Sequence, residues 1–333
     1  MQNVRAGVAG AGRLGQLHAR LYREVEGAEL TGVYDIDAAR AQTLANELGV
    51  RRFDSFAELL ASTEAVSIVV PTVFHFELGK AALAADKHVF IEKPITTTVD
   101  EASQLMALAT LQKRVLQVGH IERFNAALRA LENFPLAPRF IESHRLASFD
   151  PRGTDVAVVL DLMIHDIDII LTLVKSPLAR LDASGVAVVS EEPDIANARL
   201  QFANGCVANV TASRISQKKM RKMRIFQRDA YISIDFLQGL TEVFRLVSAE
   251  EAMNTGGFPV VLGKLDQGAR QRHIIYDKRQ APEGNALKME LASFIHAIRT
   301  GAPPPVTGED GRRALEVATT ITEAIKKADN IVT

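Results

Sequence analysis

The sequence predicts an α/β protein of two domains: a parallel sheet wrapped by helices, then a mostly antiparallel sheet. Three observations carry that expectation. Over the first 120 residues short β-type runs alternate with helix-type stretches, the pattern of a parallel sheet with helices on both sides. After residue 120 alternating runs joined by turns take over. The length, 333 residues, fits two domains at about 150 residues each.

Each element has its own reason. Val4 to Ala9 reads as a strand and Leu14 to Val25 as a helix; Glu29 to Tyr34 is a second strand, and Ala38 to Leu48 an Ala-rich helix. Ser55 opens another helix with Glu58 at capping-box spacing, and Thr98 with Glu101 repeats the device before Val99 to Gln112. Ala65 to Val70 is a nearly continuous apolar strand, as expected for one covered on both faces. His88 to Ile91 and Leu116 to Val118 complete the parallel set. Beyond it, Arg180 to Val189, Ile195 to Ile215, Met223 to Phe226, Tyr231 to Asp235, Glu242 to Val247 and His273 to Tyr276 read as strands. Asn204-Gly205 between two alternating arms predicts a two-residue hairpin turn. The stretch from Asp155 to Val174 reads as the most apolar helix, packed between the sheet and the first domain. Helices near Ala286 to Arg299 and Gly308 to Lys327 close the chain, the last too short to form a domain and expected to pack back on a neighbour.

Composition narrows the function classes. Apolar residues make up 47% and charged residues 24%, ordinary for a globular protein with sizeable cores. Lys and Arg total 39 against 40 for Asp and Glu, a net of −1, so no bulk field draws nucleic acid or an anionic membrane. With Cys206 alone, neither an intramolecular disulfide nor a thiolate cluster can form. Met1 to Arg5 does not resemble a signal peptide. The longest apolar stretch, Val156 to Val174, holds Asp161, His165, Asp166 and Asp168, too many ionisable groups for a bilayer span. The expectation is a soluble, cytoplasmic protein.

Gly10-Ala11-Gly12-Arg13-Leu14-Gly15 lies between the first strand and the first helix. Glycines at that spacing serve a tight turn, close approach of backbone to a pyrophosphate, and helix–sheet contact, while the helix N-terminus offers free N–H groups to phosphate. Asp35 ends the second strand, where a carboxylate accepts from ribose hydroxyls and repels a 2′-phosphate. NAD is therefore expected over NADP, with Asp37 adding to the repulsion. The competing role for Asp35 is a helix cap.

Glu92-Lys93-Pro94 follows the strand His88 to Ile91, at the carboxyl end where ligands bind in open α/β sheets. Pro71-Thr72-Val73-Phe74-His75 occupies the equivalent end of the preceding strand, and His75 could equally cap or pack. On a regular helix Asp161 and His165 differ by about 40°, and Asp161 and Asp168 by about −20°, so the three share a face of an apolar segment. Such groups are expensive to bury unless they pair or work. His165 suits a general base, Asp161 can hold its other ring nitrogen, and Asp166 points away. A buried polar network and an Asp/His metal site are the other readings, although no further ligand at metal spacing supports the latter. Gly119-His120-Ile121-Glu122-Arg123-Phe124-Asn125 follows the last parallel strand, where polar side chains could meet a substrate or form an ordinary solvated connection. Lys218, Lys219, Arg221, Lys222 and Arg224, near Arg214, form a solvated strand edge or dock a phosphorylated substrate.

Together the Gly10–Gly15 loop, Pro71 with His75, Lys87 through Pro94, the Asp161…His165 helix and Arg299 through Pro304 resemble the Gfo/Idh/MocA family of nicotinamide-dependent sugar dehydrogenases. The resemblance implies a Rossmann-like NAD-binding domain over 1–120, onto which 308–333 returns. It also implies an α+β substrate and oligomerisation domain over 121–307, whose large open sheet makes dimers or tetramers. It implies Lys93, Asp161 and His165 as catalytic residues. Cofactor binding falls to Gly10, Gly12, Arg13, Leu14, Asp35, Pro71, Thr72, His75, Glu92 and Lys93, and substrate binding to His120, Arg123, Asn125 and Asp168. Two features depart from the family pattern: Val156 to Val159 replaces a Gly-rich lead-in, and Met163 replaces a small residue. Residues 119–125 and 161–168 look most like the UDP-N-acetylglucosamine 3-dehydrogenase branch, which oxidises the sugar 3-hydroxyl before transamination for amide-linked lipid A. A dehydrogenase of a free monosaccharide or inositol is the second reading. A non-catalytic dinucleotide-binding sensor or corepressor is the third.

Overall fold

The computed structural model describes residues 2–149, 156–248, 250, 260–267, 270–282 and 284–332. The chain divides into two units, Met1–Phe124 with Gly284–Glu316, and Asn125–Glu283 with Val317–Thr333.

In the first unit six strands, β1 (Val4–Ala9), β2 (Ala28–Tyr34), β3 (Arg51–Arg52), β4 (Ala65–Ile68), β5 (His88–Glu92) and β6 (Leu116–Gly119), form a sheet in the order β3-β2-β1-β4-β5-β6. Every pairing in it is parallel. All four residues of β4 are buried, as an apolar run covered on both faces requires. The Thr98–Glu101 capping box forms in full before the helix Val99–Leu111. At Ser55 only half forms: its hydroxyl takes the Glu58 N–H, while the Glu58 carboxylate turns to Arg51.

The division differs from the expected one in two respects. The helix Ala286–Thr300 belongs to the first unit, because Leu287, Leu291, Phe294 and Ile295 join the core built by Val4, Ala6, Val8 and Leu21. The last helix, Gly308–Val332, counts with the first unit only as far as Glu316. From Val317 on it goes with the second, where Ile325 fills the space left by the missing Cβ of Gly185 and Lys326 reaches Glu192 at 3.1 Å.

The second unit is built on a sheet of nine strands: β7 (Phe140–Leu146), β8 (Leu178–Val186), β9 (Ile195–Phe202), β10 (Val207–Ser213), β11 (Met220–Phe226), β12 (Ala230–Asp235), β13 (Leu240–Ser248), β14 (Val260–Gln267) and β15 (Arg270–Arg279). Their order is β14-β15-β13-β12-β11-β7-β10-β9-β8. Only β7 and β10 pair in parallel; the other neighbours are antiparallel. The β9–β10 turn is longer than its Asn-Gly predicts. Phe202 donates to the Cys206 carbonyl across a three-residue loop. Only Gly205, at φ 83°, takes the left-handed conformation, and Asn204 Oδ1 instead accepts the Cys206 N–H.

One face of this sheet buries Ile141, Val210, Met223, Ile225, Ile232 and Val243, and the helix Ile164–Val174 lies against β7 and β10. Asp166 on that helix and Arg145 on β7, both about 2% exposed, make a bidentate pair at 2.9 and 3.0 Å. The opposite face carries a row in one register: Val207, Phe140, Phe226, Tyr231, Phe244, Tyr276 and Val260. Successive rings in it stand 5.0–5.8 Å apart.

Candidate active site

The glycine loop is built by close approach. A Cβ on Gly10, whose φ is 106°, would stand 2.1 Å from the Val69 carbonyl oxygen, and one on Gly15 would stand 1.9 Å from that of Gly10. At Gly12, the residue that opens the helix Arg13–Tyr22, nothing lies within 4 Å. Two glycines therefore serve the fold, while the third keeps the space beyond the helix N-terminus clear. Arg13 and Leu14 are exposed at that end.

Asp35 closes the loop. One carboxylate oxygen accepts the Ala11 N–H at 2.6 Å and the other the Asp37 N–H at 2.8 Å. The N-cap of the following helix is Asp37, which accepts from Arg40 N, while Asp35 braces the turn before it through the Asp37 N–H. Each of its oxygens retains a second lone pair for a hydroxyl donor. Arg40 reaches Asp37 at 3.2 Å and Asp35 at 3.9 Å. The open Gly12 corner, the helix N–H groups and this carboxylate fit the diphosphate and ribose of a dinucleotide.

Beyond β5, Glu92 Oε1 meets His18 Nε2 at 3.0 Å, and Oε2 accepts the Lys93 N–H at 3.3 Å. Gly119 makes room for the Glu92 carboxylate, which a Cβ there would meet at 2.8 Å. His18 is fully buried and stacks edge-on against Phe90. The Lys93–Pro94 peptide is cis. Sequence reasoning missed His18, although Gly15, His18, Ala19 and Tyr22 form the buried stripe of their helix, and a polar residue on such a stripe calls for a partner.

After β4, Pro71 and Thr72 begin a short 3-10 turn that leads into His75. His75 is 1% exposed, with Nδ1 2.8 Å from the Pro94 carbonyl and Nε2 2.9 Å from that of Val70. Burial lowers its pKa, against the opposing pull of those carbonyls. In this structure its ring ties two loops together instead of facing solvent. Arg123 is paired with Asp310 at 3.2 Å and donates to the Pro305 carbonyl; His120 is buried beside it in sequence.

In the second unit, Asn125 caps the turn Ala126–Arg129 and donates to the Phe236 carbonyl, so both ends of its amide are engaged. Asp161 does not lie on regular α-helix. Val159–Met163 is a π-helical turn, closed by the Ile164 N–H on the Val159 carbonyl, and the α-helix begins at Ile164. The predicted helix start at Asp155 lies outside the described residues. The wider turn displaces the 100° spacing used to align Asp161 with His165, and such turns recur at functional sites. Asp161 and His165 are half-buried, Asp168 is 1% exposed, and Asp166 is held by Arg145 as described. Of the basic run, Lys222 pairs with Asp235 and Arg224 with Glu142, while Lys218, Lys219 and Arg221 are exposed.

A glycine loop opening onto a helix, a carboxylate at the end of the second strand and the strand order of the first unit define a dinucleotide-binding protein of the Rossmann type. Residues 4–120 match the NAD-binding Rossmann fold of the Gfo/Idh/MocA oxidoreductases, and 119–233 match the C-terminal domain of the same group. The chain belongs to the Gfo/Idh/MocA family, and its cofactor is a nicotinamide dinucleotide. It is 38% identical over 327 residues, 98% of each chain, to the UDP-N-acetylglucosamine 3-dehydrogenase of Acidithiobacillus ferrooxidans. A solved structure of that enzyme superposes with a TM-score of 0.87 over 98% of this chain and 99% of the other. The myo-inositol 2-dehydrogenase of Thermotoga maritima is 27% identical over 94% of this chain and 93% of its own. Among the described residues no helix is long and apolar enough to cross a membrane.

Proposed function

We propose that the protein is an NAD-dependent sugar dehydrogenase that oxidises a secondary hydroxyl to a ketone, the 3-hydroxyl of UDP-N-acetylglucosamine. The observation that carries this reading is the 38% identity over 98% of both chains to an enzyme of that name, with Lys93, Asp161 and His165 all present. Bound nicotinamide supplies a hydride acceptor. His165 takes the hydroxyl proton as the carbon–hydrogen bond breaks and the carbon–oxygen double bond forms. Lys93 orients the hydroxyl and stabilises the developing alkoxide. Asp161 holds the other ring nitrogen of His165. A secondary alcohol is far too weak an acid at neutral pH without a base, whose assistance is worth about 10²–10⁴ in rate. Arg123 belongs to the substrate side in this reading, with His120 and Asp168 supporting it from buried positions and Asn125 from its capping position.

NAD is the proposed form of the cofactor: the Asp35 carboxylate, 9% exposed, and Asp37 repel a 2′-phosphate. The aromatic row on the second unit supports a homodimer or homotetramer joined through that sheet face. A cytoplasmic place and a product consumed by transamination for lipid A complete the reading. The assay is NADH formation with UDP-N-acetylglucosamine, free sugars and inositols in parallel. Turnover of the nucleotide sugar alone is expected. Turnover of inositol alone moves the assignment to the cyclitol class, which the 27% identical relative keeps in view. Tight NAD binding with no turnover makes the protein a sensor.

A further inference from the structure

The approach to the proposed acid–base pair is held by a strap that neither the proposed chemistry nor the sequence motifs account for. Arg214, 5% exposed just beyond β10, donates through Nη2 to the Val156 carbonyl. Its Nε stands 3.8 Å from Asp194 Oδ1. Asp194 is fully buried; its Oδ2 accepts the N–H groups of Val188, Val189 and Ser190 at 2.8, 2.7 and 3.1 Å, and its Oδ1 accepts the Ser190 hydroxyl at 2.6 Å. The backbone repeats the linkage: Arg214 N donates to the Asp194 carbonyl at 2.9 Å, and Val158 N to that of Pro193 at 3.1 Å. Val156 and Val158 are thus gripped at two points by one rigid assembly. Leu160 N and Asp161 N both donate to the Ala157 carbonyl between those points, and the π turn follows directly.

We propose that Arg214 is a positioning residue: through Val156 it fixes the π turn that sets Asp161 against His165, and Asp194 fixes Arg214. The proposal rests on the reading of Asp161 and His165 as the acid–base pair. A planar guanidinium can serve the carbonyl and the carboxylate together, whereas an ammonium is a single point charge. Reacting groups displaced by about 1 Å lose on the order of 10²-fold in rate.

The test compares Arg214→Met, Arg214→Lys and Ser190→Ala with the wild type and His165→Asn. For Arg214→Met we expect a fall in kcat of about 30–100-fold, an unchanged KM for NAD, a moved inflection in the pH–rate profile, and faster amide exchange over residues 158–163. Arg214→Lys recovers part of the rate, and Ser190→Ala, which removes one donor to Asp194, shows the same changes weakly. A folded Arg214→Met enzyme with wild-type kcat, pH profile and exchange overturns the proposal. If Arg214→Met does not fold, wild-type values throughout for Arg214→Lys and Ser190→Ala do so instead. His165→Asn turnover and pH profile equal to wild type overturn the acid–base reading, while accelerated exchange in Arg214→Met then still assigns the strap its hold on the turn.

Discussion

Alanine at Gly15 or at Gly12 separates what the glycine loop does for the fold from what it does for its ligand. At Gly15 the new Cβ stands 1.9 Å from the Gly10 carbonyl oxygen and 2.8 Å from its carbon. Those atoms are backbone and cannot swing aside as a side-chain tip would. Overpacking of that kind costs about 1–3 kcal/mol, and a backbone clash belongs at the upper end. At about 2–4 °C per kcal/mol for a domain of this size, the melting midpoint falls by roughly 6–12 °C. At Gly12 the Cβ meets nothing within 4 Å, and the backbone at φ −67°, ψ −176° suits any residue. Stability then changes by no more than about 0.5 kcal/mol. The methyl instead fills the space where a pyrophosphate must approach the helix N–H groups, so NADH affinity falls at least tenfold, about 1.4 kcal/mol. Circular-dichroism melting without ligand reads the first quantity and NADH fluorescence titration the second. Wild-type affinity in Gly12→Ala would refute the loop as the phosphate cradle, and an unchanged midpoint in Gly15→Ala would refute the close approach.

Further outcomes follow from other buried groups. Asp166→Asn leaves the buried Arg145 guanidinium without its counter-charge and should cost about 3–5 kcal/mol, whereas Arg145→Met with Asp166→Leu should recover most of it; equal losses in urea melts of single and double variants would show the pair is not the cause. Burial works to raise the Asp194 carboxyl, yet the Ser190 hydroxyl and three backbone N–H groups bring it from 3.8 to about 2. Its contribution of about 2 kcal/mol is therefore present above pH 4 and lost as pH falls towards 2; the acid limb of a stability–pH curve should flatten in Asp194→Asn. His88 is lowered to about 4, first by burial and then by Arg114. That contribution is complete above its ordinary value of 6.5 and lost as pH falls through 4, so His88→Gln should remove the loss between those values. His18→Ala, which takes the partner from Glu92, should weaken NADH binding; unchanged affinity would show that Glu92 holds its place unaided.

Much of the first unit is legible in the sequence because its signals are local. An apolar run marks β4, a capping box marks Thr98, and the glycine spacing marks the loop. The two-residue strand β3 is too short to leave a pattern. The helix Ala286–Thr300 reads correctly as a helix, but nothing local says which core its Phe294 enters. In the second unit most strands are legible by alternation, but β14 is not among those expected and neither is β7, whose buried face carries the polar Ser143 and Arg145 beside Ile141; its parallel pairing with β10 depends on contacts far apart in sequence. Of the candidate site, Asp35, Glu92 and Lys93 follow from their places at strand ends. His75 and Asn125 carry polar groups that backbone partners take up, and a residue type alone does not reveal its partner. The π turn at Asp161 was hidden because an apolar segment with periodic charges looks the same whether one turn holds an extra residue or not.

The chain has no tryptophan and four tyrosines, two of which, Tyr231 and Tyr276, stand in the aromatic row. Excited at wavelengths that phenylalanine does not absorb, the chain therefore emits from tyrosine, and two of its four tyrosines lie on one sheet face. Any layer laid over that face changes their surroundings, so assembly through it, as proposed above, would register on dilution as a change in tyrosine emission or its quenching by iodide. Those two tyrosines would thus serve as an optical gauge of the proposed assembly, and replacing Tyr231 and Tyr276 with phenylalanine, which keeps the rings, would silence it.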